Sequence, residues 1–170
     1  MSEIYVPDYE FQDVDYIDID EITLYAKYNF KTKTEINKLG YDLKVIHTYK
    51  VVENSKTIAT MMNLSEEDIA LAELIGLLHD IGRFEQVKRY GTFNDPKSVD
   101  HAKLGSSILF SEGKIKEFIV DNSEYDLIKS VIENHNEYRL PENISNRCKT
   151  FSNILRDADK IDIFYRRKRT

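Results

Sequence analysis

The chain has 170 residues, one domain's length, and is long enough to bury a core without disulfides or a structural zinc knot. Hydrophobic residues make up 41% and charged residues 32%, which excludes disordered and collagenous classes. The net charge of −6 argues against a dedicated nucleic-acid polymer binder, and no apolar run is long enough to cross a membrane.

Residues 1–22 carry eight acids and no Lys or Arg. They read as a solvated acidic arm over 1–19, ahead of a domain over 20–170. Asp13, Asp15, Asp18 and Asp20 lack the Gly and terminal Glu of an EF-hand. The remainder holds 22 acids against 24 basic residues, so an anionic small substrate is compatible with it. The start shows no basic n-region or apolar h-region, and the lone Cys148 rules out an internal disulfide. A cytoplasmic protein is expected.

With only six Gly and three Pro, the chain reads as all-α. A helix is predicted over 20–30. A second runs over about 43–62, with Val45, Thr48/Tyr49, Val52 and Ile58/Ala59/Met62 along a face. Ser65 is an N-cap with Asp68 at the capping-box position, and Glu66 and Glu67 suit the positive helix end. The following run is apolar almost all round, so this helix should lie centrally, with Gly82 as its C-terminal stop. Residues 91–97 read as a loop. Further helices are predicted over 98–112, ended by Gly113, then 114–120, 123–135 and 143–168. No Gly or Pro stops the last one, which leaves continuation beyond Thr170 open. Cys148 is a core residue on it.

The four histidines are His47, His79, His101 and His135. Taken singly, each is an ordinary surface or core residue. His79 and Asp80, however, sit together at the end of an apolar helix, where ionisable groups are costly unless paired or metal-bound. Asp159 adjoins the inward Ala158/Ile161 side of the last helix. A divalent metal accounts for such residues, since imidazole and carboxylate suit Mn, Fe, Ni, Co or Zn. Ligands from separate helices can converge in a bundle core, and one Asp can bridge two ions. Arg83, Lys103 and Lys160 are candidate cations for developing phosphate charge, and Asp100 is a candidate orienting partner for His101. No P-loop or GxGxxG is present.

The ordered set His47, His79-Asp80, Asp159 resembles the HD domain of metal-dependent phosphohydrolases. The words HTYKV (47–51), LIGLLHDIGRF (74–84) and LRDADKID (155–162) carry the resemblance, over roughly residues 43–165. It implies a helical bundle of the HD-domain type around a buried metal site, with His47, His79, Asp80 and Asp159 as ligands. Some members add two histidines and house a dinuclear centre, and His101 and His135 fall in those places. The alternative is that both contact substrate phosphate beside a single ion. The implied cofactor is one or two divalent ions among Fe, Mn, Ni, Co, Zn or Mg. The implied activity is hydrolysis of a nucleotide or other small phosphate ester by a metal-activated water, with Asp80, Arg83, Lys103 and Lys160 in the catalytic machinery. The competing class is a ligand-binding or regulatory module that keeps metal but lacks turnover. No nucleic-acid polymer or membrane partner is expected.

Overall fold

The computed structural model describes the backbone of residues 33–167 and the side chains of residues 42–164. The predicted acidic arm and the 20–30 helix lie outside the described residues. Among those described there is no strand, and no helix is long and apolar enough to cross a membrane.

Helix α1 spans Lys33–Met61, starting ten residues before the predicted boundary. Its inward face carries His47, Thr48, Val51, Ser55 and Ala59. Val45 and Tyr49, expected inside, are 43% and 42% exposed, because the helix turns His47 and Thr48 toward the protein interior.

Helix α2, Glu66–Leu78, opens as its sequence dictates. Ser65 accepts the Asp68 N–H at 3.2 Å, and Glu66, Glu67 and Asp68 fill the positive first turn. It buries Leu71, Ala72, Ile75 and Leu78 and packs on three other helices, which makes it central.

Gly82 is not the stop. α2 ends at Leu78, His79 and Asp80 form the break, and α3 (Ile81–Tyr90) starts with Gly82 inside its first turn. The missing Cβ serves close approach instead: a Cβ there would overlap the His101 carbonyl oxygen and lie 2.6 Å from the Gly105 nitrogen. The glycine that does stop a helix here is Gly91, at the end of α3, left-handed at φ +66°, whose N–H reaches the Val87 carbonyl at 2.7 Å.

Past a 3₁₀ turn at Asp95–Lys97, α4 (His101–Ser106) starts on Asp100, whose carboxylate accepts the Ala102 and Lys103 N–H groups. It continues as a π-turn over Ser107–Ser111, and left-handed Gly113 separates it from a 3₁₀ turn at Lys114–Glu117. Helix α5 is Tyr125–Glu133, and α6 is Asn146–Arg167, its first turn capped by Ser145. α1, α2 and α6 pack together, and α4 bridges α3 to α5. One core joins Val51, Ile75, Leu109, Ile128, Ile132, Phe151 and Leu155, with Cys148 buried beside them. At its edge the helix ends meet.

Candidate metal centre

Five separate places in the chain deliver the polar residues to one point. His47 comes from the inward face of α1. His79 and Asp80 occupy the α2–α3 break, so both side chains leave the backbone at the junction of two helices. His101 is the first residue of α4, and His135 lies just beyond α5. Asp159 comes from α6. All four histidines and Asp80 are buried, and Asp159 is partly so.

Every imidazole is anchored through Nδ1. His79 Nδ1 donates to the Gly76 carbonyl and His135 Nδ1 to the Ile132 carbonyl, each at 2.7 Å. His47 Nδ1 donates to Asp162 and His101 Nδ1 to Asp95, each at 2.6 Å. Acceptors at all four Nδ1 atoms favour the proton there, which frees Nε2 to bind metal at His79, His101 and His135; His47 Nε2 also meets Asp159, so that atom would bind metal on giving up its proton.

The four Nε2 atoms converge on Asp80, and its two oxygens divide them. Oδ2 lies 3.7 Å from His47 Nε2 and 3.6 Å from His79 Nε2. Oδ1 lies 3.3 Å from His101 Nε2 and 3.8 Å from His135 Nε2. Asp159 Oδ1 joins the first group, 3.0 Å from His47 Nε2. Two clusters that could hold a metal ion therefore share Asp80: His47/His79/Asp80 and Asp80/His101/His135.

Burial alone would raise the Asp80 carboxyl, but Lys44 and the surrounding histidines hold it well below the ordinary carboxylate range. Burial pushes His79 down to about 4, so it stays neutral. Burial also lowers His101, against the pull of Asp95. Burial would lower His47 too, but hydrogen bonds to Asp159 and Asp162 raise it. Burial would raise Asp159, but the bond to His47 together with the fields of His79 and His47 lowers it.

A divalent cation fits this donor set. His79 Nε2 is buried with no hydrogen-bond partner, a costly state for an acceptor. His101 Nε2 and His135 Nε2 are 3.0 Å apart, although each is an acceptor once its Nδ1 carries the proton. Two facing lone pairs repel unless a cation or proton lies between them. His47, His79, Asp80 and Asp159 would hold one ion, and His101, His135 and Asp80 a second.

Of the cations singled out in the sequence, Arg83 comes nearest: its Nε is 3.7 Å from Asp80 Oδ1. Its Nη1 is spent on Asp95, Gln86 and the Phe93 carbonyl. Lys103 is exposed and paired with Asp100 at 3.1 Å, and Lys160 is exposed on α6. The expectation for Asp100 is corrected. Its carboxylate caps α4 and accepts from Asn136, whereas Asp95 takes the His101 Nδ1–H.

Three residues went unnoticed in the sequence. Lys44 places Nζ 2.8 Å from Asp80 Oδ2, and Asp162 and Asp95 orient His47 and His101. Lys44 lies three residues before His47, and Asp162 three after Asp159, so helical spacing was an available signal for both.

Comparison with protein families matches the HD domain over residues 45–163. Comparison with curated proteins and with solved structures returns no match. The family match spans well over half the chain and includes all six candidate ligands, so the chain belongs to the HD-domain family, which is typical of metal-dependent phosphohydrolases.

Proposed function

We propose that this chain is a metal-dependent phosphohydrolase that hydrolyses a nucleotide or another small phosphate ester, and that His47, His79, Asp80, His101, His135 and Asp159 would hold two divalent ions. The observation that supports it is the division of the Asp80 carboxylate between two histidine pairs. Divalent ions bound there would lower the pKa of a coordinated water toward neutrality and offset phosphoryl charge.

The chain's own residues do the rest. The four Nδ1 anchors hold the imidazoles with Nε2 toward Asp80, so no ring need turn when an ion arrives. Asp80 is too weak a base to take a proton near neutral pH, and it would serve the ions as an anionic ligand. Lys44, with 14% of its side chain exposed, is the cation against the Asp80 carboxylate and the first candidate to meet a phosphate oxygen. Arg83 stands on the opposite oxygen's side. Lys103 and Lys160, exposed beside ligand-bearing turns, serve to attract an anionic substrate. We place this activity in the cytoplasm, without a polymer or membrane partner.

The test is a panel of phosphomonoesters, phosphodiesters and nucleotides with added Mn²⁺, run beside metal analysis. Turnover that disappears on chelation and returns with Mn²⁺ supports the hydrolase. Tight metal binding without turnover on any class would favour a ligand-binding module. One equivalent of metal under replete conditions would move His101 and His135 to phosphate binding.

A further inference from the structure

Three of the four imidazoles are oriented by partners within long helices or behind them. His79 and His135 each use the carbonyl three residues earlier at the end of a helix, and His47 uses Asp162 on α6. His101 has no such recourse. It is the first residue of α4, so no helical turn precedes it to offer a carbonyl. Its Nδ1 is instead met by Asp95, on the 3₁₀ turn six residues upstream.

Asp95 is itself held. Its Oδ1 accepts from Arg83 Nη1 at 2.5 Å and Gln86 Nε2 at 2.8 Å, while Oδ2 takes His101. Gln86 is fully buried and also donates to Ser98 Oγ and the Val99 carbonyl, each at 2.9 Å. Arg83 Nη1 additionally reaches the Phe93 carbonyl. Arg83 and Gln86 stand one and two turns along the helix that begins next to Asp80. A closed circuit results: Asp80, α3, Arg83 and Gln86, Asp95, His101, and back to Asp80 Oδ1.

We propose that Asp95 is the positioning residue for the His101/His135 half of the centre, clamped by Arg83 and Gln86, and that it fixes His101 with its Nε2 lone pair toward Asp80. This assigns the Arg83 guanidinium Nη1 to holding a ligand in place rather than to gripping phosphate. The metal consequence rests on the dinuclear reading above; the orientation of His101 does not.

Asp95→Asn makes the sharper test because it keeps the shape. Its single oxygen is claimed by Arg83 Nη1 and Gln86 Nε2, both donor groups, while Gln86 Oε1 is taken by Arg83. Its NH₂ group then faces His101 Nδ1, which must become the acceptor, so the ring proton moves to Nε2 and that atom no longer ligates. Asp95→Ala adds no misplaced donor and leaves Nδ1 to water, giving a mixture of tautomers. Long-range ¹H–¹⁵N NMR of the histidines in EDTA-treated full-length protein reads the tautomer with no metal present. Mn²⁺ titration calorimetry then reads binding.

Wild type should show His101 as the Nδ1–H form, Asp95→Asn as Nε2–H, and Asp95→Ala as both. The second Mn²⁺ equivalent should weaken about 10- to 100-fold in both variants, with the first unchanged. His101 remaining fully Nδ1–H in a folded variant, with Mn²⁺ binding as in wild type, overturns the proposal. If wild type binds a single Mn²⁺, the dinuclear reading falls and the tautomer alone decides the role of Asp95. Should Asp95→Asn not fold, the Asp95→Ala spectrum carries the same decision.

Discussion

Gly82→Ala sets two effects against each other. Alanine is favoured over glycine inside a helix by roughly 1 kcal/mol, and Gly82 lies in the first turn of α3. Against that, the added methyl would overlap the His101 carbonyl and stand 2.6 Å from Gly105 N and 3.0 Å from Gly105 Cα. All three are backbone atoms, so no side chain can swing aside. To restore ordinary contact, α4 must retreat by roughly 1 Å. Overpacking of this kind costs about 1–3 kcal/mol, so the clash wins and the net loss is roughly 0–2 kcal/mol. For a domain of this size that lowers Tm by up to about 8 °C.

The metal effect should be larger than the stability effect. α4 begins with His101, whose Nε2 is 3.3 Å from Asp80 Oδ1 and 3.0 Å from His135 Nε2. Ligand positions tolerate only about 0.2 Å of error, so a shift of roughly 1 Å should cost the second ion at least tenfold in affinity. Gly76→Ala is the control. Its methyl would meet Ser55 Oγ at 3.1 Å and the α1 backbone at 3.3–3.4 Å, which calls for tenths of an ångström only. Thermal melts and Mn²⁺ calorimetry on wild type and both variants decide. Gly82→Ala melting at or above wild type, with unchanged Mn²⁺ binding, would refute the close-approach argument.

Asp80→Asn should abolish metal-dependent stabilisation. Wild type at a hundredfold excess of Mn²⁺ over Kd gains about 2.7 kcal/mol, or roughly 5–11 °C in a melt, and the variant should gain none; an equal shift in both would remove Asp80 from the centre. Lys44→Met should leave Mn²⁺ stoichiometry intact and weaken substrate binding about tenfold or more, which KM and inorganic phosphate inhibition would register. Deleting residues 1–18 should leave the metal bound, because no proposed ligand lies there. Loss of metal from the deleted, folded chain would reveal a missing ligand.

Much of this was legible because it rests on local rules. The Ser65 cap, the central apolar α2, the all-helical architecture and the His79-Asp80 pair at a helix end each follow from spacing within a few residues. The start of α3 was not legible, since a glycine that lets two backbones touch and a glycine that ends a helix lack the same atom. At Gly82 only tertiary packing tells them apart. The α1 face was misjudged for a related reason. Apolar periodicity placed Val45 and Tyr49 inside, but a histidine bound for the centre sets the rotation of that helix. Asp95 had no sequence signal, because its partner comes from another element and its own segment is a short turn.

The balance of charge around the centre follows from the same contacts and bears on the substrate. Asp80, Asp95, Asp159 and Asp162 surround the imidazoles, which bind metal in the neutral form, and among the described residues Lys44 and Arg83 are the cations in contact with Asp80 or Asp95. Four carboxylates against two cations leave a formal charge of −2. One divalent ion would bring the centre to neutrality. Two would make it positive by the same amount, so that a phosphate group could enter a desolvated site without an unpaired charge on either side. The acidity of the chain as a whole therefore does not oppose an anionic substrate. The acids that face the centre are the ones that metal ions would neutralise, and eight others belong to a terminal segment that supplies none of the proposed ligands.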